Sequence, residues 1–227
     1  MNVAVSPTTV PYVATVVILM LSVVILAGWA CVGAMQGLVT PRVQDADLRK
    51  LPPSAVWSPG DPVREVPDLK RTDAAASSVT FRSHILRVVD RNLVVLAADG
   101  SRIAGPLAFG SLWGAAAEPC GVDVESPPRV SVDHDAGRWL IWRVFQPLAS
   151  GEVPFCLAVS KTADPVTGGW WLYNFSLPAG NYDAHQLLVS TKTYRFAPPS
   201  GLTGAEISFD RTALLSGKPA AFSRLAR

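Results

Sequence analysis

The stretch Arg129–Phe145, RVSVDHDAGRWLIWRVF, decides the fold of most of this chain. Over Arg129–Asp133 apolar and polar residues alternate, as in a half-buried strand. Asp135-Ala136-Gly137 has the composition of a tight turn, and Arg138–Phe145 is again rich in aromatic and β-branched side chains. The stretch therefore predicts a strand, a turn and a second, antiparallel strand.

The second of these strands is apolar on both faces. Successive side chains of a strand point to opposite sides. One face would carry Trp139, Ile141 and Arg143, and the other Leu140, Trp142 and Val144. A strand with apolar residues on both faces is typically covered on both sides, so we expect this sheet to lie in the interior of the domain.

The same strand pattern continues on either side. Pro154–Ser160 and Trp170–Ser176 complete a four-stranded unit that begins near Arg129, and a second unit begins near Ala184. The strands predicted for the second unit are Ala184–Ser190, Thr193–Phe196, Ala205–Phe209 and Ala220–Leu225, with a helical turn over Asp210–Ser216. Upstream, residues 79–103 predict a hairpin or meander, and Pro106–Pro128 predicts a loop with a short helical turn near Leu112–Ala117.

The N-terminal part of the chain is of a different kind. Val10–Val39, VPYVATVVILMLSVVILAGWACVGAMQGLV, is uncharged, and the first charged side chain is Arg42. About 20 apolar residues in a helix cross a bilayer core of roughly 30 Å, so residues 10–39 predict one transmembrane helix after a short segment, 1–9. The alternative is a cleaved signal peptide with its site at Val32-Gly33-Ala34. The length of the run and the lack of a basic start favour retention.

Between this run and the strands lies a proline-rich segment, residues 40–76. Repeated prolines force extended geometry, so the segment predicts a semi-rigid tether. It could instead wrap along a partner, in which case Trp57 would be a contact residue. Residues 77–227 then form the β-domain, and the fold class is an all-β extramembrane domain behind one N-terminal transmembrane helix.

Three stretches together resemble the blade motifs of secreted bacterial β-propeller proteins of unknown function: Val130–Trp142, Phe155–Tyr173 and Ala205–Ala220. The resemblance covers about Leu93–Leu225 and implies two propeller-like, four-stranded antiparallel blades plus a hairpin. A closed propeller needs at least four blades. Two blades alone would leave one face of each blade without a neighbour. We expect the tether, the Pro106–Pro128 loop or a partner to cover these faces, unless the two sheets pack on each other as a compact sandwich.

Cys120 and Cys156 are the only cysteines outside the apolar run. A pair of cysteines is consistent with one disulfide, and a disulfide needs an oxidising compartment. The alternative is two buried free thiols. The resemblance also implies that the loop containing Cys120 pairs with the later cysteine. Lysine and arginine usually stay on the cytoplasmic side of a membrane. Arg42, Arg49 and Lys50, after the run, therefore weakly favour a cytoplasmic β-domain, whereas a disulfide favours a periplasmic one. We expect a single-pass protein of the bacterial inner membrane with its β-domain on the periplasmic side.

The sequence contains little that suggests chemistry. A net charge of +2 and a pI near 8.5 do not indicate nucleic acid as a partner. Asp133-His134-Asp135 and Asp183-Ala184-His185 could be metal ligands, but turn and strand-entrance roles are favoured over that interpretation. No nucleophile elbow, P-loop, dinucleotide fingerprint or haem motif occurs. We therefore predict no catalytic, cofactor or metal residue, and no enzyme activity.

Aromatic and small residues point to binding instead. Trp170 and Trp171 must face opposite sides of their strand, and one of them is expected to contact a loop, the tether or a partner. In the apolar run, small residues including Gly28 and Gly33 would allow close packing against another protein's helices. The predicted function is a non-catalytic accessory subunit docked on a larger membrane complex of respiratory or photosynthetic type. The alternative is an independent membrane-anchored binding or sensor module for a small ligand, glycan or metal.

Overall fold

The computed structural model describes an all-β region that follows the apolar run. The described residues are 38–51, 78–89, 91–114, 117–122, 127–182, 184, 186–198 and 201–225. In chain order the strands are β1 (Arg42–Gln44), β2 (Ser78–Phe81), β3 (His84–Val89), β4 (Asn92–Ala97), β5 (Arg102–Ala108), β6 (Arg129–Asp133), β7 (Arg138–Val144), β8 (Val153–Ser160), β9 (Trp170–Leu177), β10 (Gln186–Val189), β11 (Thr193–Ala197), β12 (Glu206–Asp210) and β13 (Phe222–Leu225). One α-helix, α1 (Arg211–Leu215), and two 3₁₀ helices, Leu48–Lys50 and Phe109–Leu112, complete the elements of these residues.

The strands form three antiparallel sheets, none of them closed. The first sheet has the order β2-β3-β4-β5, the second β1-β9-β8-β7-β6 and the third β10-β11-β12-β13. Each sheet therefore contains four strands that follow one another directly along the chain. In the second sheet, β1 is added as a fifth strand beside β9.

The stretch Arg129–Phe145 has the structure that its pattern predicts. β6 and β7 pair antiparallel, with Val130 opposite Ile141 and Val132 opposite Trp139. The turn between them closes at Gly137, whose φ of 62° is a left-handed conformation that glycine adopts at little cost. The boundaries of the downstream strands also agree with the sequence pattern to within about two residues.

The second sheet lies between the other two and is buried on both faces. One hydrophobic core, the first core, joins it to the first sheet; the second core joins it to the third sheet. The first core includes Leu86, Leu93, Leu107, Trp139, Ile141, Ala158 and Trp170. The second core includes Trp142, Phe155, Phe175, Tyr194, Phe196 and Phe209. All eight residues of β8 are buried, as expected for a strand with neighbours on both faces.

Arg143 is the charged residue on the buried face of β7 that carries Trp139 and Ile141. It is 1% exposed, and its guanidinium lies 4.4 Å from the centroid of the Phe109 ring and 5.7 Å from that of Phe145. A guanidinium over an aromatic face is attracted by the ring quadrupole. These contacts help the first core to accommodate a cation.

The strands upstream of Arg129 form a meander, one of the two predicted possibilities, and its last strand is longer than expected. Residues 78–108 are a complete four-stranded sheet, because β5 continues through Pro106 as far as Ala108. Proline composition predicted a loop there, but an edge strand tolerates a missing backbone donor. The helical turn that follows is the 3₁₀ helix Phe109–Leu112, slightly earlier than predicted.

The described beginning of the predicted tether belongs to this β-domain. Residues Arg42–Gln44 pair with β9, and Leu48, 2% exposed, packs in the first core. Val39, the last residue of the predicted transmembrane helix, instead forms a β-bridge with Ala220. Residues 1–37 and 52–77 lie outside the described residues. Where the structure does describe the chain, it contains no helix of the length and apolarity that a bilayer crossing requires.

Candidate functional site

The two cysteines meet in a buried disulfide. Cys156 lies in β8 and Cys120 in the loop after the 3₁₀ helix Phe109–Leu112; both are 0% exposed, and their Cα atoms are 5.8 Å apart. The disulfide predicted from the cysteine count is therefore confirmed. It fastens the chain that leaves the first sheet to the face of the second sheet that the first core covers.

Trp170 is part of the first core and not of a surface. It is 0% exposed, and its indole Nε1 donates a hydrogen bond to the carbonyl oxygen of Pro165 at 3.1 Å. The sequence pattern made Trp170 a candidate partner-binding residue. The fold corrects that prediction, because a ring enclosed between two sheets of its own domain is not accessible to a partner.

Trp171 points to the other side, as the alternation of a strand requires. It packs against the second core, and the Lys161 ammonium lies 4.2 Å from its ring centroid. A Cβ atom added to Gly217, in the loop after α1, would lie only 2.5 Å from the Trp171 ring. Trp171 is thus in contact with a loop of its own domain, one of the expected possibilities.

The remaining partner candidates cannot be placed. Trp57, Gly28 and Gly33 all lie outside the described residues. Their roles in contacting a partner or packing between membrane helices stay predictions.

A buried carboxylate, for which the sequence predicted only a turn role, joins the second sheet to the third. Asp133 at the end of β6 is 1% exposed. It accepts hydrogen bonds from Arg211 Nε at 2.6 Å, Arg211 Nη2 at 3.0 Å and the Tyr194 hydroxyl at 2.5 Å. The predicted turn role is also present, since Asp133 accepts from the backbone N–H of Ala136 at 3.0 Å. The sequence did not predict this cluster, because Arg211 and Tyr194 are distant from Asp133 along the chain.

The cluster perturbs the pKa values of its three members. Burial alone would raise the pKa of Asp133, but the hydrogen bonds from Arg211 and Tyr194 outweigh it and hold that pKa below its usual value. Burial, and then the bond to the carboxylate, raise the pKa of Tyr194. The bond to Asp133 likewise raises the pKa of Arg211. All three groups therefore keep their neutral-pH protonation states and act as a structural link.

The histidines are not gathered with other ligands where the structure describes them. His134 is exposed in the β6–β7 turn, with its ring centroid 5.5 Å from that of Phe81. No group of three or more histidine, cysteine or acidic residues is close enough to hold a metal ion among the described residues. Asp183 and His185, from the other acid–histidine pair, lie outside them.

The outward face of the first sheet has an apolar centre beside Arg87, and polar residues on its two edge strands: Ser78 lies opposite Arg87, Thr80 opposite Ile85 and Arg102 opposite Leu96. Ile85 opposes Leu96 across β3 and β4, and Arg87 opposes Val94. Val94 is 7% exposed, and the other three are half-buried. The Nε atom of Arg87 is shielded from solvent and has no hydrogen-bond partner among the described residues, and burial lowers the pKa of its guanidinium.

The outward face of the third sheet is polar by contrast. Arg195 and Glu206 form an ion pair there at 3.8 Å, between β11 and β12. The side chains of Gln186, Ser208 and Ser223 lie on the same face by the alternation of their strands. Leu188 and Leu225, on the two edge strands, are 38% and 37% exposed.

Comparison with known proteins gives no relative for this chain. No family model, curated protein or solved structure matches it. Its function must therefore be inferred from the residues and their geometry.

Proposed function

We propose that this chain is a non-catalytic, membrane-anchored accessory subunit whose β-domain docks on a larger membrane protein complex. The complex would be of respiratory or photosynthetic type, and the residues 10–39 would cross the bacterial inner membrane. The disulfide supports a periplasmic β-domain, because such bonds persist in oxidising compartments. The observation that carries the proposal is the shielded Nε of Arg87 beside the apolar centre of the outward face of the first sheet.

The Nε–H group of Arg87, shielded from solvent and without a hydrogen-bond partner among the described residues, is costly. A buried donor left unsatisfied costs about 1–3 kcal/mol, and more where the group is charged. A carboxylate from another protein would remove that cost, since arginine and carboxylate form paired, charge-assisted hydrogen bonds. Ile85, Val94 and Leu96 around it would supply the dry surroundings that make such a pair strong. The partner surface is therefore one that offers a carboxylate ringed by apolar side chains.

The resemblance to propeller blades gives this surface a place in the fold. We infer that the three sheets are propeller-like blades in an open arrangement, in which a blade normally has a neighbour on each face. The outward face of the first sheet is where a further blade would pack, and the partner would take that position. The polar outward face of the third sheet has less need of such a neighbour.

The test compares two outward-facing leucines. The full chain is extracted from its native membranes in mild detergent and separated on a native gel, and mass spectrometry identifies the subunits that migrate with it. We expect the wild type to run with a complex several times its mass. Arg87→Glu and Leu96→Gln should shift it to the free position, whereas Leu188→Gln on the third sheet should leave it in the complex.

Two results would refute the proposal. The wild-type chain could migrate alone in every detergent that preserves other membrane complexes. Alternatively, Leu96→Gln and Leu188→Gln could release it to the same extent, in which case the face around Arg87 has no special role. Circular dichroism of each variant shows whether a release reflects loss of the fold.

A second candidate function is the independent binding or sensor module. The observation that favours it is a cleft of about 480 Å³ at one end of the second sheet. A cleft of this size is within the range of small-molecule sites. The same native gel separates the two functions, because an independent module would run alone.

A further inference from the structure

We propose that the cleft at the end of the second sheet, beside the chain that leads from β9 to β10, binds a small hydroxylated carboxylate, such as a sugar acid, and that Arg129 holds its carboxylate group. This inference does not depend on the docking proposal, since Arg87 and the first sheet take no part in it.

The cleft lies at one end of the second sheet, where three of its strands begin or end. Its volume is about 480 Å³, and its lining includes the start of β6, the end of β7, the start of β8 and the chain between β9 and β10. The residues that matter for recognition are Arg129, Gln146, Asn181 and Tyr182. Six-membered sugar acids fit a space of this size.

Arg129 supplies the charge. It stands directly opposite Trp142 in the β6–β7 pair, so both side chains lie on the face that is turned towards the third sheet. Arg129 is half-buried, and its guanidinium has no hydrogen bond or ion pair among the described residues. Burial lowers the pKa of Arg129, because the charged guanidinium is disfavoured away from water. One planar guanidinium can form two parallel hydrogen bonds with one carboxylate.

Arg143, the other arginine of the lining, does not add a second charge there. Its guanidinium lies over Phe109 in the first core, on the opposite face of the second sheet. A ligand with a single negative charge is therefore better matched than a doubly charged phosphate monoester.

The walls of the cleft are held in place by hydrogen bonds. The indole Nε1 of Trp142 donates to the carbonyl oxygen of Ala184 at 2.7 Å, and the Tyr182 hydroxyl donates to that of Pro178 at 2.9 Å. Both rings are almost fully buried, at 2% and 7% exposure. Such pre-organised walls reduce the cost of ordering a site around its ligand.

The rim supplies groups for hydroxyls. Gln146 and Asn181 are exposed and line the cleft, and each amide can both donate and accept hydrogen bonds. Sugar hydroxyls also donate and accept hydrogen bonds, so amide side chains are better partners for them than additional charged side chains would be. The combination of one guanidinium, two amides and apolar walls thus selects the ligand class.

The experiment titrates the full chain in detergent micelles with D-glucuronate, using ligand-observed NMR and calorimetry. D-Glucose serves as the neutral control and sulfate as the inorganic anion. We expect saturable binding of glucuronate and none of glucose, with sulfate at least tenfold weaker than glucuronate. Arg129→Gln should weaken glucuronate binding at least tenfold, Arg129→Lys should weaken it less, and Lys192→Gln, in the exposed β10–β11 turn, should leave it unchanged.

Three outcomes would overturn the inference. They are no saturable binding of glucuronate, equal binding by the wild type and Arg129→Gln, and equal affinity for sulfate and glucuronate. Thermal unfolding of each variant separates a lost site from a lost fold, and the Arg129→Lys variant provides a binding comparison even where Arg129→Gln lowers stability.

Discussion

The first and third sheets pack on opposite faces of the same central sheet, but they are attached to it differently. The first core is a mixture of aliphatic side chains and tryptophans, and a disulfide fastens the chain that leaves the first sheet. The second core is dominated by aromatic rings, and a buried ion pair replaces the covalent link. One attachment is therefore secured by a covalent bond, whereas the other depends on ring packing and on protonation state.

The outward faces of the first and third sheets also differ. The first sheet has Ile85, Val94 and Leu96 beside Arg87 at the centre of its outward face, and polar residues on its edge strands. The third sheet has an ion pair at the centre of its outward face, and Leu188 and Leu225 on its edge strands. This contrast suggests that only one end of the stack is built for another protein. It also yields predictions in which the two sheets respond separately.

The largest effect is expected from Phe209→Ala in the second core. The Phe209 ring is 1% exposed, and its centroid lies 4.6 Å from that of Phe175, 5.5 Å from Phe155 and 5.7 Å from Phe196. Removing such a ring leaves a cavity and costs about 3–5 kcal/mol of unfolding free energy. Denaturant unfolding of the full chain measures the loss, and hydrogen exchange should show faster exchange in β10–β13 before β2–β5.

Phe209→Leu is the matched control for this prediction. It keeps most of the apolar volume and should cost roughly 1 kcal/mol, because only part of the cavity opens. Simultaneous loss of protection in the first and third sheets would contradict the idea that the two attachments are separate.

Removing the disulfide should affect the opposite attachment. The bridge closes a loop between Cys120 and Cys156, separated by 36 residues. In the chain-entropy model a loop of that length contributes about 4 kcal/mol, and measured values for disulfides are typically about 2–4 kcal/mol. The Cys120→Ala/Cys156→Ala variant should lose that stability and exchange faster in β5 and the loop that follows it.

Non-reducing mass spectrometry of the wild-type chain provides the check on this second prediction. Two free thiols in the native protein would contradict it outright. Reduction of the wild type should reproduce the behaviour of the double alanine variant, while protection in the third sheet should remain close to that of the oxidised protein.

The third prediction concerns the ion pair of the other attachment. Asp133→Asn leaves the Arg211 guanidinium without its carboxylate and should cost about 2–3 kcal/mol at pH 7, less than in a fully enclosed site because Arg211 is 15% exposed. Asp135→Asn, in the adjoining turn and exposed, is the control and should cost little. Denaturant unfolding of the two variants gives the comparison.

The pH dependence of this ion pair has a definite sign. The folded-state pKa of Asp133 lies below its unfolded value of about 3.8, so its contribution is fully present above that value. The contribution is lost as the pH falls through the folded-state pKa. Wild-type stability should therefore decline more steeply below about pH 4 than that of Asp133→Asn. Parallel curves would show that Asp133 does not carry this linkage.

These features divide into those that local patterns predict and those that they do not. Strand boundaries around Arg129–Phe145, the Asp210 cap of α1 and the disulfide could be predicted, since each rests on neighbouring residues or on a count of two cysteines. The strands of the first sheet were predicted as a hairpin or meander, but the extension of β5 to Ala108 was missed because Pro106 has the local signature of a loop. An edge position, which only the three-dimensional pairing defines, accommodates it.

The proposed binding surfaces could not be predicted for a related reason. The surroundings of Arg87 and Arg129 depend on what lies opposite them across a sheet. A sequence contains the charged residues but does not show which of them share a face. The prediction for Trp170 failed in the same way, because the sequence does not show that the first core covers the end of β9 at which Trp170 lies.

The smallest predicted effect tests whether Trp171 serves the domain itself. Gly217 has a φ of 63°, and a Cβ atom there would meet the Trp171 ring at 2.5 Å. Gly217→Ala should therefore cost about 1 kcal/mol for the left-handed backbone and roughly 1 kcal/mol more for displacing the ring. Gly100→Ala is the matched control, since Gly100 has a φ of 84° with no atom within 4 Å of its Cβ position, and it isolates the backbone contribution.

A double-mutant cycle completes this last comparison. In a Trp171→Ala background the ring is absent, so Gly217→Ala should cost only as much as Gly100→Ala does in the wild type. Denaturant unfolding of the four chains gives the coupling energy directly. If the coupling is zero, Trp171 does not depend on the loop after α1, and the ring again becomes available as a contact for a partner. A coupling of roughly 1 kcal/mol would assign Trp171 to the packing between the second sheet and the third.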